Sequence, residues 1–213
     1  MRDSYKENLE QYLQGLVPER PSELQKMEAY AGKYNFPIVG PACGQACYLM
    51  ARLTQARTVF EMGSGYGYST AWFARAVREN GGGQVHHVVW DEELSRMAQD
   101  HLQALGYRDL VQFHLGEAVE TLRQADGPFD LIFNDIEKSA YPDSLAVIEQ
   151  KLRPGGVLIL DNMLYSGRVW DAAEQGEATQ AIRRTTEMLT TSPNWISALL
   201  PMRDGLLVAY KAG

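Results

Sequence analysis

The spacing of apolar residues changes near residue 56. Before it the period is helical. Leu9, Tyr12, Leu13 and Leu16 recur at steps of three and four, Pro18 and Pro21 interrupt, and Leu24, Met27, Ala31 and Tyr34 resume on one side. Residues 37–41, Pro-Ile-Val-Gly-Pro, read as a loop, and a third helix is expected over about 42–54. Beyond residue 56 short apolar runs alternate with helical patterns. Strands are predicted at 58–62, 85–89, 110–115, 129–134 and 157–160, and helices at 69–78, 92–105, 117–124, 141–152 and about 177–189. The fifth strand is bounded by Pro154-Gly155-Gly156 and Asp161-Asn162. The tail reads strand 195–200, turn 201–205, strand 206–210. Alternating strands and helices predict a parallel sheet covered on both faces, and the tail hairpin adds an antiparallel strand at its end. Residues 1–55 are then a helical appendage without strand partners, packing on a 56–213 core or on another subunit.

Composition narrows the classes. Of 213 residues, 45% are hydrophobic and 22% charged, which excludes a disordered chain. A chain of this size buries roughly 70% of its unfolded surface, enough for one core. A formal charge of −7 opposes a nucleic-acid coat or a polybasic membrane binder. No run reaches the roughly 18 apolar residues of a membrane span, and the charged start, Met1 to Glu7, enters no signal core, so a cytoplasmic protein is expected. Cys43 and Cys47 lie four apart in a predicted helix and read as buried, reduced thiols. His86 and His87 fall in the second strand, one pointing inward and one outward. Trp72, Trp90, Trp170 and Trp195 are too scattered for a nucleic-acid stacking platform.

The first chemical signal is Glu61-Met62-Gly63-Ser64-Gly65-Tyr66-Gly67-Tyr68-Ser69, between the first strand and its helix. Ligands of open α/β sheets bind beyond the carboxyl ends of strands, where glycines let them approach the backbone. A dinucleotide fingerprint needs its third glycine three residues after the second, and Tyr68 stands there. A nucleotide-dependent oxidoreductase is therefore disfavoured. Glu61, two residues before the first glycine, would repel a pyrophosphate and suits a cationic ligand such as S-adenosylmethionine (SAM). Trp90, just past the second strand, offers a flat ring to cover an adenine.

The second signal is carboxylate-rich. The fourth strand ends in Asn134-Asp135-Ile136-Glu137-Lys138 and the fifth in Asp161-Asn162. With these strands adjacent, Asp135, Asp161 and Asn162 converge as a hard-oxygen set suited to Mg²⁺, Ca²⁺ or Mn²⁺. Lys138 beside such a cation has its charged form disfavoured and can accept a proton. Tyr165 and Trp170 follow the Asp-Asn pair and are candidate walls of an acceptor pocket.

These stretches, together with residues 37–45 and the closing Leu200-Pro201-Met202-Arg203-Asp204-Gly205-Leu206, resemble the cation-dependent class I O-methyltransferases, the caffeoyl-CoA and catechol O-methyltransferase group. The resemblance covers nearly the whole chain from about residue 22. It implies a Rossmann-like, seven-stranded, mostly parallel sheet with the last strand antiparallel. It implies SAM contacts from the glycine loop, at Glu61, Gly63, Ser64, Gly65, Tyr68 and Ser69, and from Glu117 and Ala118 beside the adenine. Asp135, Asp161 and Asn162 match the metal ligands, Lys138 the general base, and members are commonly homodimers. One departure concerns the second strand. Val89 stands where the family carries an acid for the ribose hydroxyls, so either Asp91 reaches back or cofactor affinity falls. The sequence therefore predicts a SAM-dependent, metal-assisted O-methyltransferase of a small aromatic hydroxyl. The alternative is the same fold without turnover, serving as a binding or dimerisation module.

Overall fold

The computed structural model describes residues 2–213, with side chains from Tyr5 onward except Lys6; Met1, the first residue of the charged start, lies outside them. Seven strands, β1 (Thr58–Met62), β2 (Gln84–Val89), β3 (Val111–Leu115), β4 (Phe129–Asn134), β5 (Leu152–Leu160), β6 (Trp195–Leu200) and β7 (Leu206–Lys211), form one sheet in the order β3-β2-β1-β4-β5-β7-β6. β1 to β5 are parallel, and β7 runs antiparallel to β5 and β6. The helices are α1 (Arg2–Gly15), α2 (Ser22–Tyr34), α3 (Gly40–Leu53), α4 (Tyr68–Glu79), α5 (Glu92–Ala104), α6 (Ala118–Gln124), α7 (Tyr141–Lys151) and α8 (Glu177–Thr191). The Rossmann-like expectation is met.

Strand alternation builds two cores. Val59, Leu131, Phe133 and Ile159 face α2 to α4, against Met27, Cys47, Trp72 and Phe73. Phe60, Met62, Ile132 and Leu158 face the other way, against Leu122, Tyr141, Ile148 and Ile182 of α6 to α8. Both cysteines are buried and free, and burial raises the Cys43 thiol to about 12, as inert reduced thiols require. α3 and α4 approach closely because Gly44 has no side chain; a Cβ there would lie 2.3 Å from the Trp72 indole nitrogen.

Three expectations change. The antiparallel strand is β7, inserted one place in from the edge, so β6 is the edge strand. β5 begins at Leu152, which pairs with Phe129 ahead of a register shift, so Pro154-Gly155-Gly156 interrupts the strand rather than preceding it. His86 and His87 do lie on opposite faces, but both are buried, because helices cover both sides of β2. His86 stacks on His114, and His87 packs against Phe113. The N-terminal helices divide: α2 and α3 enter the first core, whereas Leu9 and Tyr12 of α1 and Leu16 just beyond it are exposed.

Asp130 ties the far ends of β1, β4 and β5 together. One carboxylate oxygen accepts the backbone N–H groups of Arg57 and Thr58 and the Thr58 hydroxyl at 2.8, 2.9 and 3.0 Å; the other accepts Arg153 Nε at 2.6 Å. Burial raises its pKa, but Arg153 and these donors together hold it below the usual value. Asp130→Ala removes the shared acceptor of these part-buried and exposed donors and is expected to cost about 1 kcal/mol in urea denaturation. A loss under about 0.5 kcal/mol would show that the cluster is incidental.

Candidate active site

Register places the site. Met62 pairs with Asn134, and Asn134 with Leu160. The next residue on each strand is Gly63, Asp135 or Asp161, so all three sit on one rung at the carboxyl ends of β1, β4 and β5. Asp135 N–H donates to Met62 O at 2.9 Å, and Asp161 N–H to Asn134 O at 3.2 Å, carrying the ladders one step past the strands. Gly63 has φ 83, and a Cβ there would lie 2.5 Å from the Asp135 carbonyl oxygen, so only glycine lets the loop pass beneath that strand tip.

On one side of Gly63 lies a cavity of about 270 Å³ between the ends of β1, β2 and β4. Its walls include Gly65, Val89, Trp90, Glu117, Ala118 and Asp135. They are largely apolar, with an exposed indole at the mouth, which fits an adenosyl group. Glu117 caps α6, its carboxylate accepting Val119 N–H at 3.0 Å and Glu120 N–H at 2.7 Å. Asp91 caps α5 by accepting Leu94 N–H at 2.9 Å and does not line this cavity. Val89 does, so that wall carries no acceptor on β2.

A smaller adjoining cavity is lined by Ser64, Tyr68, Ser69 and Asp135. Tyr68 donates its hydroxyl to Glu28 at 2.8 Å, and Ser64 accepts Val88 N–H at 2.9 Å. Glu61 lies behind this wall, fully buried, its two oxygens accepting the Ser69 and Thr70 hydroxyls. Thr70 has one proton and gives it to Glu61, so at its 3.0 Å contact with His87 Nδ1 it accepts. Burial keeps His87 neutral, its pKa lowered to about 3. Burial raises Glu61 to about 7 against the pull of its hydroxyl donors.

On the other side of Gly63 a more polar cavity of about 330 Å³ is lined by Phe36, Pro37, Ile38, Asp135, Lys138, Asp161, Asn162 and Arg203. The expected metal ligands therefore share one cavity wall. Lys138 Nζ donates to Asp135 Oδ1 at 2.6 Å, to Tyr141 Oη at 2.9 Å and to Ile136 O at 3.1 Å. Buried Tyr141 lies within hydrogen-bond distance of the Asn134 and Asp161 carbonyls, bridging the β4 and β5 tips. Asp161 is 1% exposed and its pKa is raised, first by burial and then by Asp135, with Arg203 opposing. Two carboxylates and an amide with no clustered histidine or thiolate fit a hard divalent cation. Among the described residues no group of three or more His, Cys, Asp or Glu forms a candidate centre.

Tyr165 and Trp170, expected as pocket walls, line neither cavity; Arg168 stacks over the Tyr165 ring and Trp170 is exposed. Phe36, Tyr141 and Arg203 were not singled out from the sequence. Phe36 stands one residue before the loop that was, and Arg203 lies within the quoted hairpin turn.

The sequence matches the O-methyltransferase family over residues 18–212. It is 29% identical over 220 residues to the catechol O-methyltransferase of Niastella koreensis, with 98% of this chain and 99% of that protein covered. The fold resembles that of the O-methyltransferase from Bacillus cereus, solved in complex with SAH, at a TM-score of 0.86 and 28% identity over 96% of this chain and 97% of that one. It also resembles TomG from Streptomyces achromogenes, an O-methyltransferase involved in tomaymycin synthesis and solved with SAM, at a TM-score of 0.86 and 28% identity over 97% and 96% of the two chains.

The raised Glu61 carboxyl has a thermal signature. Between its usual value of 4.5 and about 7 the folded chain holds a proton that the unfolded chain has released, so this group's contribution to stability falls as pH rises. His86 and His87, lowered to about 4 and about 3, act oppositely below 6.5, so the total slope mixes both effects. Glu61→Gln isolates the first. In ligand-free protein, its melting temperature relative to wild type is expected to rise between pH 5 and pH 8 and then level off. A difference independent of pH would show that Glu61 is ionised throughout.

Proposed function

The chain belongs to the O-methyltransferase family, to which residues 18–212 match, and from that premise we propose that it transfers a methyl group from SAM to a hydroxyl of a small catechol-like or phenolic acceptor with the help of a divalent cation. The observation that carries the reading is the shared rung: a cavity suited to an adenosyl group and a carboxylate-rich cavity meet at Gly63 and Asp135. SAM supplies the methyl on a positively charged sulfur. Trp90 and Ala118 flank its adenine, and the Gly63–Gly65 turn admits its methionine arm beside Ser64, Tyr68 and Ser69, with Glu61 stabilising its charge from behind. Glu117 orders the adenine end through its cap, and Asp91 acts by starting α5.

Asp135, Asp161 and Asn162 are the proposed ligands of a divalent cation, Mg²⁺ first, with Ca²⁺ and Mn²⁺ as alternatives. A cation held by these three residues would lower the pKa of acceptor hydroxyls, as such ions do for bound water. Lys138 Nζ, held by Asp135 and Tyr141 on the acceptor side, is the group proposed to take the hydroxyl proton. Phe36, Pro37 and Ile38 exclude water and hold the ring, so that the oxygen meets the methyl carbon in line, the new C–O bond forming as the methyl–sulfur bond breaks and its electron pair stays on the sulfur of departing SAH. Much of the rate then comes from positioning. The exposed Leu9 and Tyr12 of α1, with Leu16 just beyond it, favour a homodimer. No helix among the described residues is long and apolar enough to cross a membrane, in keeping with a cytoplasmic enzyme.

The test is methyl transfer from labelled SAM across catechols and hydroxycinnamoyl thioesters, with and without chelator. Turnover that the chelator abolishes is expected. Lys138→Met is expected to lower kcat by about 10² to 10³. Calorimetric affinity for SAH should change little in that variant, because Nζ faces the acceptor side. Full activity in Lys138→Met, or turnover indifferent to chelator, would remove the proposed roles.

A further inference from the structure

Arg203 lies 42 residues beyond Asp161 in sequence, yet its Nη1 stands 3.5 Å from Asp161 Oδ2. The turn that carries it is anchored. Met163 N–H donates to Gly205 O at 3.0 Å, Leu164 N–H to Asp204 O at 2.7 Å, and Ser166 N–H to Asp204 Oδ1 at 2.6 Å. Arg203 itself has φ 49, in the left-handed region that L side chains adopt at a cost. A strained backbone position on an anchored turn thus holds a guanidinium against a carboxylate that is only 1% exposed. Asp161 Oδ1 already accepts Asn162 N–H at 2.8 Å, so among the described residues Oδ2 is left facing the arginine. Lys138 stands in the same relation to Asp135. Both carboxylates of the hard-oxygen set therefore carry a tethered cation from this chain.

We propose that Arg203 is a built-in competitor for the divalent cation, sharing Asp161 Oδ2 with it and setting how tightly the metal is held. The inference rests on the reading of Asp135, Asp161 and Asn162 as metal ligands. A fixed positive charge a few ångströms from a dication opposes its binding, and burial of Asp161 reduces the screening that would soften this opposition. The arginine side chain is 31% exposed, so it has room to turn outward as a metal enters, which makes the competition reversible. Between uptakes the guanidinium keeps the buried carboxylate from facing Asp135 without a counter-charge.

Calorimetric titration of Mn²⁺ into wild type, Arg203→Met and Arg203→Lys tests this. Removing the charge at similar length is expected to tighten Mn²⁺ binding at least about tenfold, whereas the lysine variant, which keeps the charge, stays within about threefold of wild type. Arg203→Gly, which also relieves the left-handed backbone, is the companion variant if the methionine protein does not fold, and it too should bind more tightly. Wild-type binding with no tightening in the methionine or glycine variant would overturn the competition and leave the ligand set standing. Absence of Mn²⁺ binding in wild type and variants alike would overturn the ligand reading and the inference with it.

Discussion

Three backbone hydrogen bonds continue the sheet one or two residues past its strands: Asp135 N–H to Met62 O, Asp161 N–H to Asn134 O and Ser64 N–H to Val88 O. Each joins a neighbouring pair of strand ends, and together they bring the tips of β2, β1, β4 and β5 into one line. The chemistry of the chain sits on that line. The close pass of Gly63 under the Asp135 carbonyl makes the line continuous, because any side chain at that position would force the β1 and β4 tips apart. The two hydrophobic layers hold the strands in this register: a one-residue slip would exchange the faces of Val59 and Phe60, and of Leu131 and Ile132.

The line concentrates negative charge where water is scarce. Glu61 and Asp161 are both buried and both raised in pKa, the first shielded by two hydroxyls, the second by an arginine and a backbone amide. Buried carboxylates so arranged are costly unless something positive approaches. A sulfonium-bearing cofactor on one side of Gly63 and a divalent cation on the other would each relieve part of that cost. The fold in this way stores an affinity for cations that its own lysine and arginine satisfy only in part.

The sequence made much of this legible, for identifiable reasons. Short apolar runs separated by amphipathic helices point to a parallel sheet covered on both faces, whereas the meeting of Asp135 and Asp161 depends on the adjacency of β4 and β5, which the register supplies. The Gly63-x-Gly65-x-Gly67 spacing marks a ligand turn, because glycine there answers a close backbone approach. Spacing is silent on capping. Glu117 and Asp91 read from the sequence as ligand contacts, and the structure adds that each carboxylate receives the first amides of a helix. It is also silent on long-range ion pairs: Arg203 belongs to a turn far along the chain, and only the β5–β7 pairing brings it to Asp161. Nor does a stripe of leucine and tyrosine in α1 reveal which surface it was made for. Of His86 and His87 one reads as outward-facing, yet both are buried, because both faces of β2 are covered.

The most direct measurement is an anomalous difference map from crystals grown with SAH and millimolar Mn²⁺. One manganese peak is expected within bonding distance of Asp135, Asp161 and Asn162, with the adenine between Trp90 and Ala118 and the sulfur beside Gly63. A manganese peak elsewhere with those three side chains apart, or SAH lying outside the Gly63 crevice, would contradict the shared line of strand tips as the seat of the chemistry.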